Sequence, residues 1–221
     1  MEIRFALARA HRLSGGFEGA LAEYEALERL GGTDEIRERA VFENGATLFA
    51  AGDVDGALAE YRRVIDLYPV GSYLNDAIEA SIFISEHRDA GDEPLEAYAE
   101  CLLLMENRRY DEARSRMEKM LGALLLSNLR DDLFWQLARV EEEEGRARDA
   151  IRILEDLIEE FPQSRLARRA RMRIGDILVE RLGDLPAGVA QYERFLVDYP
   201  NSILAEEVRR KRAKAEVRNE F

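Results

Sequence analysis

One cysteine, one tryptophan, two histidines and five prolines are all that this 221-residue chain holds of those four residue types. A lone cysteine excludes an internal disulfide. His11 and His87 lie far apart without companions at ligand spacing, so neither a metal site nor an acid–base role is expected of them. Long apolar runs are missing too. The longest, LGALLL at 121–126, falls far short of the roughly 20 residues that cross a bilayer, so no direct membrane insertion is expected. The opening MEIRFALARAHRL sets charges among its apolar residues and is no secretory h-region. The chain is therefore expected to be soluble: cytoplasmic as written, or periplasmic if an export signal or anchor has been removed from it. No phosphate loop, nucleophile elbow or dinucleotide fingerprint occurs, so no catalytic residue, cofactor or enzymatic activity is expected.

Basic charge is scarce, and it is unevenly placed. The net charge is −13, yet residues 164–221 carry 13 basic against 9 acidic groups, which leaves 19 against 36 in the rest. An acidic body with a basic end argues against a nucleic-acid binder and favours oriented pairing with a charged protein. What is abundant is charge beside apolar residues, 35% and 47% of the chain, the composition of long helices with solvated outer faces.

The hexapeptide GALAEY occurs at 19–24 and again at 56–61, a displacement of 37 residues. Its longer surroundings, GGFEGALAEYEALERLGG (15–32) and GDVDGALAEYRRVIDLYP (52–69), are also alike. A period of about 20–50 residues marks a repeat array. Aligned on the alanine of GALAEY as position 20, five units share the same columns. Position 20 reads Ala20, Ala57, Ala113, Ala150 and Gly188; position 8 reads Ala8, Gly45, Cys101, Ala138 and Gly175. Small residues in both columns let two helices approach closely. Position 24 reads Tyr24, Tyr61, Met117, Leu154 and Tyr192, and position 27 reads Leu27, Val64, Met120, Leu157 and Phe195. Position 32 is proline in three units, Pro69, Pro162 and Pro200; proline lacks an N–H and disfavours helix in the residue before it.

This order of small, small, large and terminal proline resembles the tetratricopeptide repeat (TPR) over roughly residues 1–200. Position 4 departs from the family, with Arg4, Val41, Ala97, Phe134 and Arg171 where tryptophan is usual. The exits DLYP, EEFPQS and VDYPNS are similar in style to bacterial cell-envelope TPR proteins such as the outer-membrane assembly lipoprotein and the Tol–Pal coordinator. The resemblance implies an all-α, right-handed superhelical solenoid of about twelve antiparallel helices. The expected organisation is two units in 1–69, an inserted helix in 70–92, three units in 93–200 and a polar capping helix in 201–221. The 70–92 stretch is one amphipathic helix too many for strict pairing, with Ala77, Ile78, Ile82, Phe83 and Ile84 as its apolar residues. A terminal helix with a polar outer face keeps an open-ended array soluble.

In the family the first helix of each unit lines a concave groove. Position 5 would face it, here Phe5, Phe42, Tyr98, Trp135 and Met172, a column suited to an apolar binding ladder. The same residues would equally serve as packing between units. Arg169 and Arg173, in RLARRARMR (165–173), resemble the basic members of the carboxylate clamp of chaperone-binding TPR domains. The clamp is incomplete: Gln136 stands where it has asparagine, and Tyr98 and Leu102 stand for its lysine and asparagine. Arg139 is a further candidate. The plainer reading is a solvated helix face answering the run Glu141–Glu144, itself expected to be solvated. Cys101 fills the small column and is expected to be inert.

The expectation is thus a non-catalytic interaction module or scaffold that holds a protein or peptide segment in its groove. The alternatives are a structural part of a larger cell-envelope assembly, gripping by its convex face or ends, or a self-associating adaptor. Apolar patches on end or outer faces would favour the alternatives, and patches in the groove the first reading.

Overall fold

The computed structural model describes residues 1–88, 91–124 and 127–219. Residues 89 and 90 of the expected inserted segment, 125 and 126 of LGALLL, and 220 and 221 at the end lie outside the described residues. Among the described residues there are twelve α-helices and no strand: α1 Glu2–Leu13, α2 Phe17–Leu30, α3 Asp34–Ala50, α4 Val54–Leu67, α5 Leu74–His87, α6 Asp92–Glu106, α7 Tyr110–Ala123, α8 Arg130–Glu143, α9 Ala147–Glu160, α10 Arg165–Glu180, α11 Leu185–Asp198 and α12 Ala205–Asn219. The fold is an all-α solenoid of helix pairs.

Local chemistry explains where these helices begin and end. Thr33, Asp53, Ser164 and Asp184 each accept a hydrogen bond from a backbone N–H of the first turn they precede. Such a cap satisfies a donor that the helix itself leaves unpaired. The turn between the two helices of a pair needs one left-handed residue. That place is Gly15, Gly52, Gly145 and Gly183 in four pairs and Arg108 in the fifth. Glycine meets this at no Cβ cost, and arginine does not. At the far end of a pair, α4, α9 and α11 stop one residue before Tyr68, Phe161 and Tyr199, each followed by its proline.

The repeat columns are the core. Every residue of positions 8, 20, 24 and 27 is buried. Where the small residue is glycine, the reason is measurable. A Cβ on Gly175 would lie 2.5 Å from Cε1 of Tyr192, and one on Gly188 would lie 2.3 Å from Cγ2 of Val179.

The chain forms two compact units, Met1–Met120 and Leu121–Phe221. In the first, α1 packs on α2, α2 on α3, α3 on α4 and α4 on α5, while α6 returns to pack against α3 and α4. The loop into α5 is tied down by the buried Glu38 of α3, whose carboxylate accepts from the backbone N–H groups of Ser72 (3.1 Å) and Tyr73 (2.7 Å). Gly71 is required there, because a Cβ would meet that carboxylate at 2.0 Å. Within α5, Ala77 and Ile84 are buried on one face, two turns apart, whereas Ile82 is exposed, against the sequence expectation. In the second unit, α8 packs on α9, α10 on α8, α9 and α11, and α11 on α12. The terminal α12 buries Ala205, Val208 and Ala215, with Val208 and Ala215 joining Val179, Tyr192 and Phe195 in one cluster. Its exposed face carries Arg209, Arg210, Lys214 and Arg218.

Candidate functional site

The second unit contains a cleft of about 460 Å³ built from three helices. Trp135, Arg139, Glu142 and Glu143 come from α8, Arg169, Met172, Arg173 and Asp176 from α10, and Glu207 and Lys211 from α12, with Arg181 at its rim. Spacings of three, four and seven put each set on one helix face, which is why residues distant in sequence meet. Five residues singled out from the sequence, Trp135, Arg139, Arg169, Met172 and Arg173, line this one cleft. Gln136 stands beside it, its side-chain oxygen accepting from Arg139 Nη1 at 2.9 Å. Trp135 and Met172 are half-buried and rest against the apolar core beneath.

The floor is a charge network. Arg173 donates twice to Glu142, Nε to Oε1 at 3.0 Å and Nη2 to Oε2 at 2.5 Å. Lys211 donates to both oxygens of Asp176, at 2.9 and 3.0 Å, and Tyr192 adds a third donor at 2.7 Å. Hydrogen bonding to the Glu142 carboxylate, opposed by burial, holds the Arg173 guanidinium above its ordinary pKa. Burial first, and donation to Asp176 second, push the Tyr192 phenol up. These pairs are committed to one another, so Arg173 is a supporting member of the floor rather than an open clamp. Arg139, Arg169, Arg181 and Glu143 complete the cleft wall.

Two expectations are corrected here. Glu141 and Glu142 are not solvated: Glu142 is 8% exposed, and Glu141 is buried and takes an ion pair from Arg146. Four successive helical residues face all sides, so two of them necessarily turn inward. The position-5 column is also divided. Phe5 (4% exposed) packs with Ala8, Ala20, Tyr24 and Leu27, and Tyr98 (3%) stacks on Phe83 at 4.9 Å, so both are core. Phe42 is half-buried between Tyr61 and Tyr73. The packing reading holds for this part of the column.

Glu142, Asp176 and Lys211 were not among the sequence candidates. Asp176 carried a signal, a lone acid inside the apolar run IGDILV; a charge there must find partners. Cys101 is fully buried, its thiol 3.8 Å from the Met120 sulfur, and burial pushes its pKa up to about 11.

The tetratricopeptide repeat profile matches residues 5–72 and 136–203, more than half of the chain. The chain belongs to the tetratricopeptide repeat family. Solved structures similar to it are TPR proteins as well. The MamA protein is 16% identical over 90% of this chain and 91% of its own, with a TM-score of 0.44. A thermophilic TPR protein of Thermus thermophilus is 17% identical over 98% of both chains, also at 0.44. The TPR2AB domain of yeast Sti1, solved in a complex with pHSP90, is 15% identical over 95% of this chain and 83% of its own, again at 0.44. Likeness at this distance carries no partner across. No curated protein sequence matches the chain. Among the described residues, no helix of this TPR chain is long and apolar enough to cross a membrane.

Proposed function

We propose that this TPR protein is a non-catalytic interaction scaffold whose second unit holds an acidic segment of a partner protein. The observation that carries the reading is the meeting of Trp135 and Met172 with the arginines of α8 and α10 in one cleft. An apolar residue of the partner would lie on Trp135 and Met172, as aromatic and methionine surfaces favour. Its carboxylates would face Arg139 and Arg181. Arg139 and Arg181 form no ion pair with the described residues, so their charge is unspent.

Trp135 is the sole tryptophan, so its emission reports on the cleft without a label. Titration with a peptide of alternating Glu and Leu is expected to shift that emission saturably. The shift should weaken as salt rises. Affinity should fall about tenfold in Arg139→Glu/Arg181→Glu, the scale of one or two ion pairs with the partner. An unchanged emission, or equal binding by the variant, would remove the cleft from consideration.

A second reading is supported by a different observation. Val70 and Ile203 are each 97% exposed and Ile3 is 85% exposed, and none of them lines the cleft. A structural part of a larger assembly, with the cell-envelope style of the helix exits as its context, or a self-associating adaptor would use these residues as contacts. Val70→Glu/Ile203→Glu would leave peptide binding intact and abolish incorporation or self-association under that reading.

A further inference from the structure

The first unit has a cavity of its own, about 200 Å³, between α1, α3, α4 and α6. It exists because three residues lining it are alanines, Ala46 and Ala50 from α3 and Ala99 from α6, with Phe49 and Leu102 completing the apolar wall. Pockets for drug-sized molecules run to roughly 300–1,000 Å³, whereas an apolar cavity of about 150 Å³ holds a benzene ring. The space therefore fits a single ring.

One polar group lines it with hydrogen-bonding capacity unspent on the protein, the Tyr61 hydroxyl. Tyr61 is 5% exposed, its ring packs on Phe42 at 5.5 Å, and its hydroxyl makes no hydrogen bond to the described residues. Burial raises its pKa, with Arg12 opposing and Glu43 adding, so the phenol stays neutral and able to donate at physiological pH. Arg12 spends its guanidinium ends on Glu43 (3.0 Å) and Glu106 (2.8 Å), and its Nε–H is sealed away from the cavity. Glu106, at the rim, also accepts from Arg9 Nε at 3.2 Å.

We propose that this cavity binds one phenol-class group, an aromatic ring seated among Ala46, Ala50 and Ala99 with its oxygen against the Tyr61 hydroxyl. The group is either a free small phenol or the side chain of a tyrosine in a bound peptide. The site lies wholly in the first unit and does not rest on the cleft of the second.

The test uses p-cresol, toluene and N-acetyltyrosinamide as probes, with binding read by ligand-observed NMR on the full chain. p-Cresol is expected to bind saturably and more tightly than toluene. Ala46→Leu fills the space from a half-buried position and is expected to abolish binding of both while the far-ultraviolet helix signal is kept. Tyr61→Phe keeps the ring and removes the hydroxyl. It is expected to weaken p-cresol about tenfold, the scale of one hydrogen bond, and to leave toluene unchanged. Competition of N-acetyltyrosinamide with p-cresol supports the tyrosine source, and p-cresol binding without it supports the free phenol. No p-cresol binding to the wild type, equal binding by Ala46→Leu, or a Tyr61→Phe variant with unaltered preference would overturn the proposal.

Discussion

At the residue scale, the close approach of paired helices is decided by single methyl groups. Gly175 sits under the ring of Tyr192, and that ring is anchored by its hydroxyl on Asp176, so it cannot swing away. Gly175→Ala is therefore expected to lower the unfolding free energy by about 1–3 kcal/mol, the range for overpacking a tight site. Gly122, in α7, is the control: a Cβ there meets nothing within 4 Å. Gly122→Ala is expected to raise stability by about 0.5–1 kcal/mol through helix propensity alone. Urea unfolding followed by circular dichroism separates the two signs. Cys101 belongs to the same scale. With its thiol held neutral to about pH 11 and no surface exposed, it is expected to react with Ellman's reagent at pH 8 only after denaturation.

At the scale of the element, a helix here is set by its ends and by the partner its buried face meets. Asp53 caps α4 by accepting from Gly56 N–H at 2.9 Å. Asp53→Ala should cost about 0.5–2 kcal/mol, as lost caps do, and the same urea series measures it. The contact between α8 and α10 rests on Glu142 and Arg173. Removing one partner leaves the other charge in a partly dry site. Arg173→Ala is accordingly expected to destabilise the protein more than Glu142→Ala, because it strands Glu142, which is 8% exposed, whereas the Arg173 left behind by the other change is half-buried. An inverse order would show that the network is solvated.

At the scale of the whole molecule, stability should depend on alkaline pH more than the number of repeats suggests. Tyr24 is pushed up to about 12, mainly by burial; Tyr61 and Tyr192 are raised as well, and Cys101 to about 11. In the unfolded chain such groups ionise near about 10 and 8.5. Between those values and the folded ones, the unfolded state holds fewer protons than the native state. The unfolding free energy therefore falls as pH rises, by up to about 1.4 kcal/mol per pH unit for each group in its window. Melting temperature is expected to be level with respect to these groups below about pH 8 and to drop steeply above about pH 9. A flat profile to pH 11 would mean that the phenols are hydrated. Each unit has its own buried clusters, as expected where contacts in a repeat array run between neighbours.

Much of the architecture could be read from the sequence, because repetition multiplies a weak signal. One alanine says little, but a small residue in all five units at positions 8 and 20 forces paired helices, and the prolines say where they stop. The candidate site was legible only in part. Helical spacing was enough to group Arg169, Met172 and Arg173 on one face, or Trp135 with Arg139. It did not tell which aromatic of the position-5 column would stay only half-buried, since Phe5 and Trp135 hold the same place in the repeat and differ in what packs against them. Nor did it reveal that Glu142 turns inward to neutralise Arg173, or that Tyr61 ends with its hydroxyl unpaired beside Arg12. Such facts depend on side chains from separate helices meeting in space. Local pattern determines which residues a helix buries; burial and charge pairing between helices decide which of them remain open to a ligand.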